Sequence, residues 1–227
     1  FELELPSTGK TIKYRPFLVK EEKVLLMALE SKDEKQVVSA VKDLIKNCVI
    51  TRIKVDNLPS FDLEYLFLKI RGASIGENII LTVTCLDDNE TQVEANININ
   101  DVEIFKPEGH DKKIMFDENT GLVMKYPSMK EFVDREFLQK EMKTEDVYEF
   151  IADSIDQIFD SEEVYDSSTT TKKEFRTFVD SLTTKQFEKI QKFYETSPKL
   201  SHTFKVTNPK TGKESSYTIE GLQSFFA

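Results

Sequence analysis

Apolar positions along the 227-residue chain change their period several times. Phe1, Leu3 and Leu5 alternate with acids, Pro6-Ser7-Thr8-Gly9 supplies turn residues, and Thr11 to Phe17 resumes extended chain. That pattern predicts a β-hairpin. From Glu21 to Ser31 the period becomes helical, with Val24, Leu25, Ala28 and Leu29 as the apolar stripe. A second helix is expected to open on the capping box Ser31-x-x-Glu34 and to carry Val37, Val38, Val41, Leu44, Ile45 and Cys48 on one face. The short connection makes these two helices an antiparallel pair. Beyond Pro59, Leu63, Leu66, Phe67 and Ile70 recur at helical spacing, with acids in the first turn and Arg71 near the end, so dipole and period agree. After Gly72 and Gly76, Ile79 to Leu86, the turn Asp87-Asp88-Asn89-Glu90, and Val93, Ala95, Ile97 and Ile99 read as a second hairpin, part of a small sheet.

The C-terminal part is patterned differently. Capping boxes stand at Ser128-x-x-Glu131, Thr171-x-x-Glu174 and Thr183-x-x-Gln186, each followed by apolar positions: Phe132 and Val133; Phe175, Phe178, Val179 and Leu182; Phe187, Ile190, Phe193 and Tyr194. These predict helices packed through phenylalanine. The stretch Asp166 to Thr171 contains no apolar residue and reads as a mobile connector. A third hairpin, Thr203 to Ile219, turns at Asn208-Pro209-Lys210-Thr211-Gly212. The fold class expected is α+β: an N-terminal hairpin with a helix pair, a small central antiparallel sheet, and a helical C-terminal half ending in a hairpin. A boundary is placed near Pro127, giving regions 1–127 and 128–227, where strand patterns give way to capped helices.

Charge narrows the partners. The formal net charge is −10 and the sequence pI about 4.9, whereas a nucleic-acid backbone calls for clustered Lys and Arg. Carboxylates recur from Glu141 to Asp166, opposed only by Lys143, and read either as a solvated helix face or as a docking face for a basic partner. No apolar stretch reaches the roughly 18 residues that span a bilayer. The start lacks the basic-then-apolar order of a signal peptide, but Phe1 in place of Met leaves an N-terminal address open. Cys48 and Cys85 fall within apolar patterns and read as small core residues in a reducing compartment, a disulfide between them being the minor alternative.

Motifs of catalysis and ligation fail at named positions. Gly9-Lys10-Thr11 resembles the end of a phosphate-binding loop, but Glu4 stands where its first glycine belongs and a strand follows. Asp117-x-Asn119-x-Gly121 resembles a calcium loop, yet its glycine position falls on Leu122 and its closing acid on Ser128, so a turn is expected. His110 lies in a polar stretch and reads as an exposed loop histidine. His202, just before a strand, has no companion for a zinc site. Neither cysteine has a neighbouring histidine and no Gly-x-Ser-x-Gly elbow is present. No catalytic residue, cofactor or metal is therefore expected, and a dispersed active site is the alternative.

Phenylalanine is abundant, at 17 residues, and Phe225 and Phe226 stand one residue from the end. Exposing two such rings costs roughly 1.5–3 kcal/mol each, so burial in the core or in a partner is expected.

The run Leu5-Pro6-Ser7-Thr8-Gly9-Lys10-x-x-x-Tyr14-Arg15-Pro16-Phe17-Leu18-Val19-Lys20-Glu21-Glu22-Lys23 and its continuation to Ser31 resembles the opening of the baseplate hub protein family of T-even-like contractile-tailed phages. Asn47-Cys48, Phe61-Asp62-x-Glu64-Tyr65-x-Phe67-x-x-x-Arg71, Gly76-Glu77, Met124-Lys125-Tyr126-Pro127 and Gly221-Leu222-x-x-Phe225-Phe226 are similar to the same family. Some members place a Cys-x-x-Cys pair in the last hairpin turn. This chain has Asn208 to Gly212 there, so no metal is implied. The resemblance implies a non-enzymatic protein of hub and tail assembly that binds baseplate hub and tape-measure proteins, self-association being a further option. It would act in the host cytoplasm during assembly, either staying in the virion tail or leaving as a transient chaperone. Arg15, Lys20, Glu21, Glu22, Lys23, Phe225 and Phe226 are the candidate contact residues, with Lys20 to Lys23 expected on an exposed helix face beside an apolar stripe.

Overall fold

The computed structural model describes residues 1–128, 144–166 and 168–221. Glu131 of the expected capping box Ser128-x-x-Glu131, with Phe132 and Val133, and the terminal Phe225 and Phe226, lie outside those residues. The chain is α+β and divides into two compact units, residues 1–105 with 198 onward, and residues 106–197. Pro127, where the sequence suggested a change of region, falls inside the second unit.

In the first unit, alternating Leu3 and Leu5 give strand β1 (Glu2–Glu4), antiparallel to β2 (Thr11–Lys13) with Leu3 opposite Ile12. Gly9 takes φ 69° in the turn, a left-handed conformation that glycine adopts at no steric cost. Tyr14 bridges Val49, which ties the hairpin to the end of a helix pair. That pair is α1 (Val19–Ser31) and α2 (Glu34–Cys48), packed on each other, and α2 packs on α3 (Ser60–Ile75). The expected α2 stripe buries Val41, Leu44, Ile45 and Cys48, and on α3 Leu63, Leu66, Phe67 and Ile70 are each at most 1% exposed.

The capping box at Ser31 does not form. Ser31 ends α1, its hydroxyl donating to Ala28 O at 2.6 Å, and Lys32 turns the chain with φ 55°. Asp33 caps α2 instead, its Oδ1 accepting from Lys35 N at 3.0 Å and Gln36 N at 3.4 Å. A carboxylate there satisfies two orphan amides and faces the positive helix end.

Strands β3 (Asn78–Thr84) and β4 (Gln92–Asn98) pair with Ile79 opposite Ile97 and Leu81 opposite Ala95. A second sheet has the order β11-β10-β5, joining β5 (Glu103–Phe105), β10 (Lys199–Thr207) and β11 (Glu214–Glu220). His202 thus lies within β10 rather than ahead of it, its Nδ1 at 3.1 Å from Asp101 O. Leu68, Ile79, Leu81, Ile97, Ile99, Val102 and Leu200 form a core here that α3 and both sheets share.

The second unit is built on an antiparallel sheet in the order β6-β7-β8-β9. Its strands are β6 (Lys113–Met115), β7 (Gly121–Met124), β8 (Ile155–Phe159) and β9 (Val164–Asp166). Helices α4 (Thr144–Asp153), α5 (Lys172–Asp180) and α6 (Thr184–Glu195) accompany it. Both expected capping boxes are formed, Thr171 with Glu174 and Thr183 with Gln186. Phe175, Val179, Ile190 and Phe193 meet Leu122, Met124, Ile151 and Ile155 in one core. The acidic run is not one helix face. Among its described residues only α4 is helical, and the carboxylates continue into β8 and its turn, where Asp160 Oδ1 accepts from Glu162 N at 2.8 Å and Glu163 N at 2.9 Å. Asp117 likewise closes the β6–β7 turn, accepting from Asn119 N at 2.9 Å and Thr120 N at 2.7 Å.

Candidate functional site

Arg15 leaves β2 just before α1, and Glu21 stands in the first turn of that helix. Their side chains meet as a fork, Nη2 to Oε1 at 2.7 Å and Nη1 to Oε2 at 3.0 Å. The same guanidinium donates to Pro16 O at 2.8 Å and to Asn47 O at 2.9 Å. Glu21 also accepts from Leu18 N at 2.7 Å, capping its own helix. Desolvation alone would push a carboxyl this buried toward protonation. The hydrogen bonds from Arg15 outweigh it and hold Glu21 down at about 2, while the same contact raises Arg15. Burial pushes the neighbouring Cys48 thiol up to about 11, which leaves it a small apolar group; Cys48 and Cys85 are both buried and free.

This arrangement revises the expected contact surface. Glu21 was expected to be exposed, and it is 8% exposed and committed, with Arg15, to fastening the end of β2, the start of α1 and the end of α2. Lys20 and Lys23 are exposed, and Glu22 is half-buried. The inward side of α1 consists of Glu21, Leu25 and Ala28. Anchoring Glu21 to Arg15 rotates Val24 out of the expected stripe, to 54% exposure. Beside it stand Leu18, Val19, Leu26 and Met27, all exposed, Val19 at 82%. The signal for this face is present in the sequence. Leu18, Val19 and the unbroken run Val24 to Leu29 place apolar residues on every side of α1, more than one buried stripe absorbs.

Two further polar centres are internal. In the first unit, Asn208 Nδ2 donates to Asp87 Oδ1 at 2.9 Å and Asp88 Oδ2 at 3.0 Å, and Thr211 Oγ1 donates to Asp87 Oδ2 at 2.5 Å. Asn208 is buried, so the tips of the β3–β4 and β10–β11 hairpins are pinned together. Thr91, donating from both N and Oγ1, lowers the pKa of Asp88, and Thr211 and Asn208 lower that of Asp87.

In the second unit His110 is not the exposed loop residue expected from its polar surroundings. It is 7% exposed, with its ring stacked on Phe193 at 5.2 Å between centroids. Thr196 Oγ1 gives its proton to Lys192 O at 2.7 Å, so His110 Nδ1–H donates to Thr196 Oγ1 at 2.9 Å and Nε2 accepts from Tyr126 OH at 2.8 Å. Both ring nitrogens are satisfied by a neutral imidazole. Burial lowers the pKa, reinforced by Lys106 and Lys112 and opposed by Asp111.

Compared with known proteins, the whole chain, residues 1–227, matches the family described as T4 bacteriophage base plate protein. No curated protein and no solved structure matches it. Among the described residues no helix is long and apolar enough to cross a membrane.

Proposed function

Since the chain belongs to the T4 bacteriophage base plate protein family, we propose that it is a non-enzymatic component of the baseplate hub, acting in hub and tail assembly by binding other baseplate proteins. The family match across residues 1–227 carries this reading. Two structural observations support it. Its most prominent polar groups, Arg15 with Glu21, Asn208 with Asp87 and Asp88, and His110 with Tyr126 and Thr196, are engaged in holding the chain's own elements. Meanwhile α1 presents apolar side chains to solvent, a disposition suited to a partner surface.

Affinity capture of tagged protein from infected cells, followed by mass spectrometry, tests the assignment. Hub proteins and the tape-measure protein are expected among the captured chains, and a bait that returns none of them would sink the hub reading. Purified particles then separate a resident subunit from a transient assembly chaperone. Peptides of this chain at hub stoichiometry place it in the virion tail; their absence, with capture intact, makes it a chaperone acting in the host cytoplasm.

A further inference from the structure

We infer that the outer face of α1 is a self-complementary surface on which a second copy of this chain docks antiparallel, Lys23 of each copy opposite Glu30 of the other. At about 100° per residue, Leu26, Val19, Glu30, Lys23 and Met27 fall within about 100° of arc on α1. All five are exposed. The apolar members, Val19 at 82%, Met27 at 60% and Leu26 at 51%, surround the two charges. Neither Lys23 nor Glu30 makes an ion pair or hydrogen bond with another described residue, so both charges are available to a partner.

The order of these residues selects the occupant. Basic Lys20 and Lys23 lie in the N-terminal half of α1, and Glu30 lies in its last turn. A two-fold axis crossing the helix between Leu26 and Met27 sets residue 23 against 30, and Leu26 against Met27. It also brings Lys20 toward Asp33, the half-buried cap of α2 in the other copy. At the centre of the face Leu26 therefore meets Met27 and Lys23 meets Glu30, as a two-fold interface requires, while Val19 falls opposite the start of α2 in the other copy. A parallel arrangement would place Lys23 beside Lys23. At the N-terminal end, Phe17 N donates to Ser74 Oγ at 2.9 Å, which ties the end of α3, where Ile75 is 53% exposed, to the start of α1. This pairing goes beyond hub membership and does not require it, since a hub complex would be captured by a monomer as well as by a dimer.

Sedimentation equilibrium on the full chain, from about 1 μM to about 1 mM, reads the outcome. The wild type is expected to reach twice its 26.3 kDa mass. Lys23→Glu and Glu30→Lys each set like charges opposite one another twice per dimer and are expected to weaken association at least about tenfold. The double variant restores opposite charges in both positions and is expected to recover the wild-type constant. Leu26→Asp should abolish the dimer, with circular dichroism confirming that this surface change leaves the fold intact. A wild type that stays monomeric overturns the proposal. So does a dimer indifferent to Leu26→Asp or to the single swaps, or a double swap that fails to rescue.

Discussion

Glu21 couples stability to acidity in a direction that follows from its partner. Its ordinary pKa of 4.5 is lowered to about 2 in the folded chain, chiefly by Arg15. The unfolded chain takes up this proton first on acidification, so the contribution is complete above pH 4.5 and disappears between 4.5 and about 2. Asp56, held at about 2 by Lys42 and Lys46, adds to the same window, though its exposure to water makes its share smaller. Glu21→Gln should cost about 2–3 kcal/mol at neutral pH, because Arg15 loses its fork partner within the protein. Urea titrations at pH 7, 4 and 3 should show a shallower loss for the variant than for wild type. His110 titrates in a higher window with the same sign. Its ordinary pKa is 6.5 and its folded value is lower, so below pH 6.5 the unfolded chain binds a proton that the folded one refuses. Stability therefore rises with pH up to about 6.5 and is level above it. His110→Gln is expected to remove that slope between pH 5 and 7.5, measured by the unfolding of the second unit; an unchanged slope would assign it to other groups.

At the scale of elements, caps and close approaches decide where helices and strands stop. Asp33→Ala removes the acceptor for Lys35 N and Gln36 N and should lower the midpoint of thermal unfolding followed at 222 nm. Gly121 in β7 has no room for a side chain. A Cβ there would lie 2.4 Å from Ile114 O and 2.7 Å from Phe159 Cζ, so Gly121→Ala should destabilise the second unit by about 1–3 kcal/mol through overpacking, visible as a lower urea midpoint. Elements governed by one local period were legible in the sequence. The α2 stripe, α3, the β3–β4 hairpin and the Thr171 and Thr183 boxes follow from spacing alone. Where the outcome depends on a distant partner, the sequence was silent. Val24 faces water because Arg15, outside the helix, fixes Glu21 inward. His110 is buried because Thr196 and Tyr126 come to it from remote positions. Strands β8 and β9 hid within an acidic run because their pairing with β7 supplies what their own composition does not advertise. Of the exposed positions on α1, Lys20 and Lys23 were anticipated in the sequence, while Val19, Leu26 and Met27 were not.

For the whole molecule, the first unit is discontinuous in sequence, and the residues where it is interrupted are partners in one sheet. Phe105 of β5 lies directly opposite Lys199 of β10 in an antiparallel pair. A two-residue Asn-Gly turn joining Phe105 to Lys199 should therefore replace everything between them. The shortened chain is expected to unfold cooperatively and to retain the helical signal of α1 to α3; a molten far-UV spectrum without a transition would show that the first unit needs the second. The same pairing sets a timetable during synthesis. The core that holds Leu68, Ile79 and Ile97 is completed by Leu200, so this part of the first unit waits, with β5 unpaired, while the ribosome adds the 106–197 segment. That segment contains the four strands of its described sheet and is free to fold before that core can close. In this baseplate protein the core around Ile79 and Ile97 is thus sealed only when β10 arrives, from the far side of the second unit in the sequence.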